Sequence, residues 1–126
     1  MVVHRKGKAS RTDYSVLESF GLISYVEVEI HTGRTHQIRV HTADMGHPIL
    51  CDPLYGDGQP VFLSASKPGF KLSKNEEEER PILARLALHA WKLSFTGPDG
   101  ADWTLEAPLP KDLRATLQQL RKWKRP

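Results

Sequence analysis

The sequence has few cysteines and no long apolar stretch, and each shortage excludes a class of protein. Cys51 is the only cysteine in 126 residues, so an internal disulfide and a cysteine-rich zinc site are both excluded. No apolar run approaches the ~20 residues that cross a bilayer. The first residues, MVVHRK, lack the apolar segment of a signal peptide. These features predict a cytoplasmic protein with no membrane partner, in which Cys51 is a small, half-buried hydrophobic residue.

The charge is nearly balanced in total but unevenly distributed. Eighteen Lys and Arg residues stand against fifteen Asp and Glu, a formal net charge of +3. Basic residues gather in the first eleven and last six positions, and acidic residues in 76–79. The basic ends could neutralise nucleic-acid phosphates, or they could be solvated termini, and charge alone leaves both interpretations open.

Hydrophobic periodicity in the first half predicts a hairpin followed by a helix. Residues 12–20 are rich in strand formers, and residues 24–30 alternate apolar and polar positions, as in a strand with one buried face. The two strands are expected to pair in antiparallel fashion. A short helix is predicted from about 35 to 45, with Thr35 as its N-cap and Gly46 closing it in a left-handed conformation.

The second half predicts a loop, another hairpin and a last helix. Residues 47–60 carry three prolines and two glycines, typical of an irregular loop, and residues 64–81 form a polar surface segment. Strand character returns over 83–95 and 103–105, around turn residues 97–100. A final helix is predicted over 110–124, with an apolar stripe of Leu113, Leu117, Leu120 and Trp123. The predicted fold class is α+β, a mainly antiparallel or mixed sheet with short helices.

The stretch with the most chemistry is residues 32–56, TGRTHQIRVHTADMGHPILCDPLYG. It places a glycine at a strand end and several basic or amide side chains at the start of a helix, where backbone amides favour anions. By physics alone this is an anion or nucleic-acid site, or a polar capped helix face. His36 and His41 point about 140° apart on a helix, so a metal site is not expected.

This stretch resembles the C-terminal signature of the RluA-like pseudouridine synthases. Their pattern is TGR-x-HQ-[IL]-R-V-H followed by G-x-P-I-x-G-D-x-x-Y-G, and Cys51 replacing a glycine is the one visible departure. Shorter resemblances extend the match to roughly residues 7–108. The resemblance implies that residues 1–126 are a single partial catalytic domain, the C-terminal part of that fold. The implied enzyme isomerises uridine to pseudouridine in ribosomal or transfer RNA without a cofactor.

The resemblance also implies roles for individual residues. Arg39 matches the active-site arginine that pairs with the catalytic aspartate of the family. Gly33, Arg34, His36 and Gln37 would join Arg39 in binding RNA, or else cap and brace the local backbone. Asp52 and Tyr55 are expected to brace the loop. Leu86 or Leu88 would form the wall against the target base, or serve as ordinary core.

The family's catalytic aspartate lies in an HRLD-x-x-[TS]-SG motif, which these 126 residues do not contain. The chain is therefore expected to leave Arg39 without a carboxylate partner and to be inactive alone. The alternatives are a non-catalytic RNA-binding module and a truncated remnant. Because family members build their sheet from both halves of the domain, exposed sheet edges and self-association are also expected.

Overall fold

The chain forms five strands and two α-helices within the residues that this computed structural model describes, which are 2–5, 8–31, 35–72 and 78–124. All strand pairs in this part of the chain are antiparallel. The predicted α+β class is therefore confirmed. In chain order, the elements are β1 (Val2–Arg5), β2 (Lys8–Ser19), β3 (Ser24–Ile30), α1 (Gln37–Asp44), β4 (Lys92–Thr96), β5 (Asp102–Glu106) and α2 (Lys111–Trp123).

The first three strands form one sheet in the order β1-β2-β3. The β2–β3 hairpin is confirmed, and its register places Val16 opposite Val26 and Tyr14 opposite Val28. β1 was not predicted, because a four-residue strand is too short to show alternation. Pairing with β1 extends β2 back to Lys8, beyond the predicted start at residue 12.

One face of this hairpin is apolar, but it is less covered than the alternation predicts. Val26 and Val28 are half-buried, whereas Val16 and Ile30 are exposed. The alternation gives the direction of each side chain and does not show what covers it.

Helix α1 begins two residues after the predicted cap. His36 occupies the N-cap position in the left-handed region, with φ 52°, and no side chain caps the helix. The prediction of Thr35 as N-cap is therefore wrong. Gly46 ends the helix as predicted, with φ 81° and its amide donating to the Ala43 carbonyl at 2.9 Å.

The second hairpin is shorter than predicted. β4 starts at Lys92 rather than near residue 83, because the backbone of the preceding segment bonds to the central loop. The Val61 amide donates to Leu83, and the Ala87 amide donates to Leu50. The turn joining β4 to β5 is confirmed by a hydrogen bond from the Gly100 amide to the Gly97 carbonyl.

Helix α2 supplies one side of the core. Leu117 and Leu120 are buried against Phe20, and Ile23, Tyr25 and Leu109 pack around them. Two members of the predicted stripe are thus confirmed as core, whereas Leu113 and Trp123 are half-buried. Neither helix in the described ranges has the length and apolar character needed to span a membrane.

A groove of about 910 Å³ remains open between the apolar face of the β2–β3 hairpin and the two helices. Its walls include Tyr14, Val16 and Val28 from the hairpin, Met45 beyond the end of α1, and Leu113 from α2. The core of the chain is therefore one-sided, and much apolar surface faces solvent.

Candidate functional site

Arg39 and Asp52 form a two-pronged ion pair that joins helix α1 to the loop after it. Arg39 Nε donates to Asp52 Oδ2 at 3.0 Å, and Nη2 donates to Oδ1 at 2.7 Å. The Asp52 side chain is fully buried, and that of Arg39 is 14% exposed. The planar guanidinium matches the carboxylate in this geometry, so the orientation of Arg39 is fixed.

The loop presents the Asp52 carboxylate by turning tightly around it. The amides of Leu54 and Tyr55 donate to Asp52 Oδ1 at 3.0 and 3.2 Å, and the Gly56 amide donates to the Asp52 carbonyl at 3.1 Å. Cys51 enters this turn with φ 63°, a conformation that glycine adopts without strain. This explains physically why the related motif has glycine at that position.

The surroundings of Asp52 favour its charged form. The Arg39 guanidinium, helped by the amides of Leu54 and Tyr55, holds the pKa of Asp52 well below its usual range despite burial. In return, the Asp52 carboxylate raises the pKa of Arg39. The pair therefore stays ionised across the physiological pH range.

Tyr55 links the pair to the start of the helix. The Arg39 Cζ atom lies 5.3 Å from the centroid of the Tyr55 ring, within the range of a cation–π contact. His36 Nδ1 lies 3.1 Å from the Tyr55 hydroxyl, and the two rings meet edge to face. Arg39 Nη1 has no hydrogen bond to any described residue. Asp52 thus holds the guanidinium along its Nε and Nη2 edge.

The prediction that Arg39 lacks a carboxylate partner within this chain is wrong, because Arg39 pairs with Asp52. The signal was present in the sequence, as an aspartate in a proline-rich loop 13 residues after the arginine. Sequence spacing alone could not show that the loop folds back onto α1.

Gln37 and His36 differ sharply in exposure. Gln37 is 5% exposed, and its amide nitrogen donates to the Arg11 carbonyl at 2.7 Å and to Thr12 Oγ1 at 2.9 Å. This placement matches the bracing alternative, since it ties α1 to β2. His36 is exposed beside Tyr55. The other predicted RNA contacts, Gly33 and Arg34, lie outside the described residues.

The predicted apolar wall, Leu86 or Leu88, lies on the segment whose Ala87 amide donates to the Leu50 carbonyl, two residues before Asp52. Leu88 lines the groove, whereas Leu86 is half-buried outside it, and Arg39 is not among the residues around the groove. In the described ranges no three His, Cys, Asp or Glu side chains are grouped to hold a metal ion. The structure therefore brings together Arg39, Asp52, Tyr55 and His36.

Comparison with known proteins points to one family. Residues 1–44 match the family described as RNA pseudouridylate synthase. An uncharacterized RNA pseudouridine synthase of Chlorobaculum parvum is 43% identical over 117 residues, covering 92% of this chain and 35% of the relative.

Two further relatives carry more specific names. The ribosomal large subunit pseudouridine synthase D of Nitrosomonas europaea is 41% identical over 122 residues, 96% of this chain and 32% of the relative. The ribosomal large subunit pseudouridine synthase C of Escherichia coli is 39% identical over 120 residues, 94% and 34% respectively. The chain spans about a third of the length of these relatives. Over nearly its whole length, the chain is thus similar to RNA pseudouridine synthases of the RluA-like family.

Proposed function

We propose that this chain is the part of an RNA pseudouridine synthase that carries the active-site arginine, Arg39. The reaction breaks the bond between C1′ and N1 of uridine and forms one between C1′ and C5. C5 loses its proton and N1 gains one, so no redox cofactor is required. The observation that carries the proposal is the fixed Arg39 guanidinium, held by Asp52 at the position that matches the family motif.

Arg39 is proposed to act by neutralising the catalytic carboxylate of the family, which the 126 residues do not supply. A cation beside such an acid keeps it ionised and oriented. Asp52 holds the Nε and Nη2 edge, so Nη1 would meet the incoming acid without first losing rotational freedom. In this role Asp52 is a positioning residue.

The substrate is proposed to be ribosomal or transfer RNA, with the target uridine turned out of its helix or loop into the site. The exposed His36 and the free edge of Arg39 would contact the RNA, together with Gly33 and Arg34. Gln37 would hold α1 against β2 so that these groups stay in place. Leu86 or Leu88 would supply apolar surface toward the base, with a role as ordinary core residues as the alternative. The cytoplasm is the proposed location, in keeping with a single cysteine.

A chimera tests the function directly. This chain would replace the matching residues of the Nitrosomonas europaea relative, and release of tritium from RNA containing 5-tritiated uridine would be measured. We expect the chimera to be active. Arg39→Gln should lower its rate of tritium release at least ~100-fold, because keeping the catalytic acid ordered and ionised lowers the activation free energy by several kcal/mol. The 126-residue chain assayed alone should give no turnover.

Arg85→Gln is the matched control, since Arg85 makes an equally two-pronged pair with Asp112 but is half-exposed. Its chimera should keep nearly full activity. A folded chimera without activity, beside an active parent, would contradict the function. If the chimera bound RNA and remained inactive, the alternative of a non-catalytic RNA-binding module would be favoured. Turnover by the chain alone would refute the need for a further acid.

The chain is also proposed to self-associate through its uncovered sheet. Its accessible surface is 9368 Å², whereas a compact monomer of its mass exposes roughly 6,800 Å². Tyr14, Val16 and Leu17 are each about half exposed along β2. Apolar surface of this extent favours a partner, and a second copy of the chain supplies the same face.

A further inference from the structure

The described cations fall into two groups, according to whether a carboxylate neutralises them. Arg11, Arg39, Arg85 and Arg121 each have an acidic partner, in Asp13, Asp52, Asp112 and Glu18. Several other cations have no carboxylate within ion-pair distance among the described residues, and Lys67 and Lys122 are two of them. A cation that no carboxylate offsets attracts an external anion with its full charge.

Lys67 and Lys122 are nevertheless held in place, because both lie against one indole. The Lys67 ammonium is 5.7 Å from the Trp123 ring and the Lys122 ammonium is 5.0 Å from it. Both distances are measured to the same ring, so the two charges lie within about 11 Å of each other. A phosphate placed near both ammonium groups would be attracted by each of them.

The scaffold under these three side chains is ordered from two sides. The Trp123 indole nitrogen donates to Gln119 Oε1 at 3.0 Å, one turn back along α2. The Lys67 amide donates to the Leu63 carbonyl at 2.8 Å, directly after the 3₁₀ turn at Leu63–Ala65. The Glu79 carboxylate reaches this turn and accepts hydrogen bonds from the amide and hydroxyl of Ser64.

We propose that Lys67, Lys122 and Trp123 form a second RNA contact, which binds backbone phosphates away from the Arg39 site. The inference rests on the proposed function, since it takes RNA as the substrate. A pair of ammonium groups around an aromatic ring follows a sugar-phosphate strand without reading its bases. The interactions that hold Lys67 and Trp123 involve Leu63 and Gln119, and Arg39 is held by other residues, Asp52 and Tyr55. The patch is therefore proposed to add affinity and to take no part in the chemistry.

Salt-dependent binding of the full chain to a fluorescein-labelled, uridine-containing single-stranded RNA tests the inference. Replacing both lysines, Lys67→Gln with Lys122→Gln, should weaken binding about tenfold near 0.1 M salt and reduce the slope of log K against log salt by about 1.4. The control is Lys92→Gln with Lys111→Gln. This control removes the same number of positive charges, and one of its lysines, Lys92, also lies against an aromatic ring, 5.6 Å from that of Trp91. It should change the affinity for RNA by less than about twofold.

The outcomes separate the patch from the function. If the wild-type chain binds RNA and the two double variants bind it equally well, the proposed role of Lys67 and Lys122 is wrong, while the proposal that the chain binds RNA stands. If the wild-type chain binds no RNA, both the patch and the proposed RNA contact of this chain fail. Competition by polyglutamate at the same charge concentration as RNA would show a general polyanion surface and overturn the assignment to RNA. A loss of RNA affinity in the Lys67 and Lys122 variant, but not in the control variant, would support the proposed RNA contact.

Discussion

Asp52 is the residue on which the candidate site depends most. It is fully buried, and its carboxylate receives four hydrogen bonds, two from Arg39 and two from backbone amides. A buried carboxylate is stable only when it is paired and bonded in this way. The same contacts that keep Asp52 charged therefore orient Arg39 and shape the loop.

Asp52→Asn should lower the free energy of unfolding by about 2 kcal/mol at pH 7, because a charge-assisted pair is replaced by a neutral amide. The folded pKa of Asp52 is depressed, so its contribution is present above the unfolded pKa and is lost as the pH falls. The gap between wild type and variant should therefore narrow below about pH 5. Urea unfolding at pH 7 and pH 3 would measure it.

Asp57→Asn, in the same loop, is the matched control, because Asp57 is exposed and its bond from the Gln59 amide can be kept by an asparagine. It should leave stability nearly unchanged at both pH values. A gap for Asp52→Asn that is as wide at pH 3 as at pH 7 would mean that the ion pair does not stabilise the fold.

Cys51 combines a left-handed backbone with a buried thiol. Its φ is 63°, and its side chain is buried with Sγ 3.8 Å from the Leu83 carbonyl. Burial raises the pKa of this thiol, which argues against a reactive cysteine. The residue therefore fills space at some cost in backbone strain.

Cys51→Gly should be more stable than Cys51→Ala by about 1 kcal/mol, because both lose the thiol and only alanine retains the left-handed strain. Thermal unfolding of the two variants, measured side by side, would show the difference. Equal stability, or a more stable alanine variant, would mean that the loop relaxes out of the left-handed conformation.

Among the elements, helix α2 is the one whose attachment the sequence predicts best. Its hydrophobic stripe places Leu117 and Leu120 against Phe20. Its polar face is tied at both ends, by Arg85 to Asp112 and by Arg121 to Glu18. Exposed pairs of this kind contribute little, so the leucines carry the attachment.

Leu120→Ala should lower the free energy of unfolding by about 3 kcal/mol, since Leu120 is 3% exposed and its removal leaves a cavity beside Phe20. Gln118→Ala, on the exposed face of the same helix, should change it by less than about 0.5 kcal/mol. Urea unfolding followed by circular dichroism would compare them. Similar losses in both variants would mean that α2 does not depend on this core.

At the scale of the molecule, the dominant feature is the uncovered groove. Its apolar walls come from β2, β3, α1 and α2, and β3 and α2 also contribute Tyr25, Leu117 and Leu120 to the core. The chain thus resembles one side of a larger packed structure, and a second copy is the proposed cover.

Sedimentation velocity should show a concentration-dependent shift from monomer to dimer. Val16→Lys, on the apolar face, should abolish it, because a lysine in that contact would lose its hydration without a partner. Ser15→Lys, on the opposite face, adds the same charge and should leave the dimer intact. A clean monomer at high concentration, or equal effects of both variants, would contradict self-association through this sheet.

Local patterns predicted most of the elements and the residues of the site. The strand over 24–30, the turn at 97–100, the end of α1 and the stripe of α2 all follow from short-range rules of periodicity and turn chemistry. The Arg39 motif was likewise visible as residue types in order. These features depend on residues only a few positions apart in the sequence, and such residues are close in space whatever the rest of the fold.

The tertiary structure decided the contacts between distant segments. It brought Asp52 back to Arg39, turned Gln37 inward onto β2, and directed the backbone before Lys92 to the central loop instead of a strand. It also left the apolar face of the hairpin open. The alternation of apolar and polar residues predicts which way each side chain points. The residue that it contacts depends on how distant segments pack together, and local sequence rules do not predict that packing.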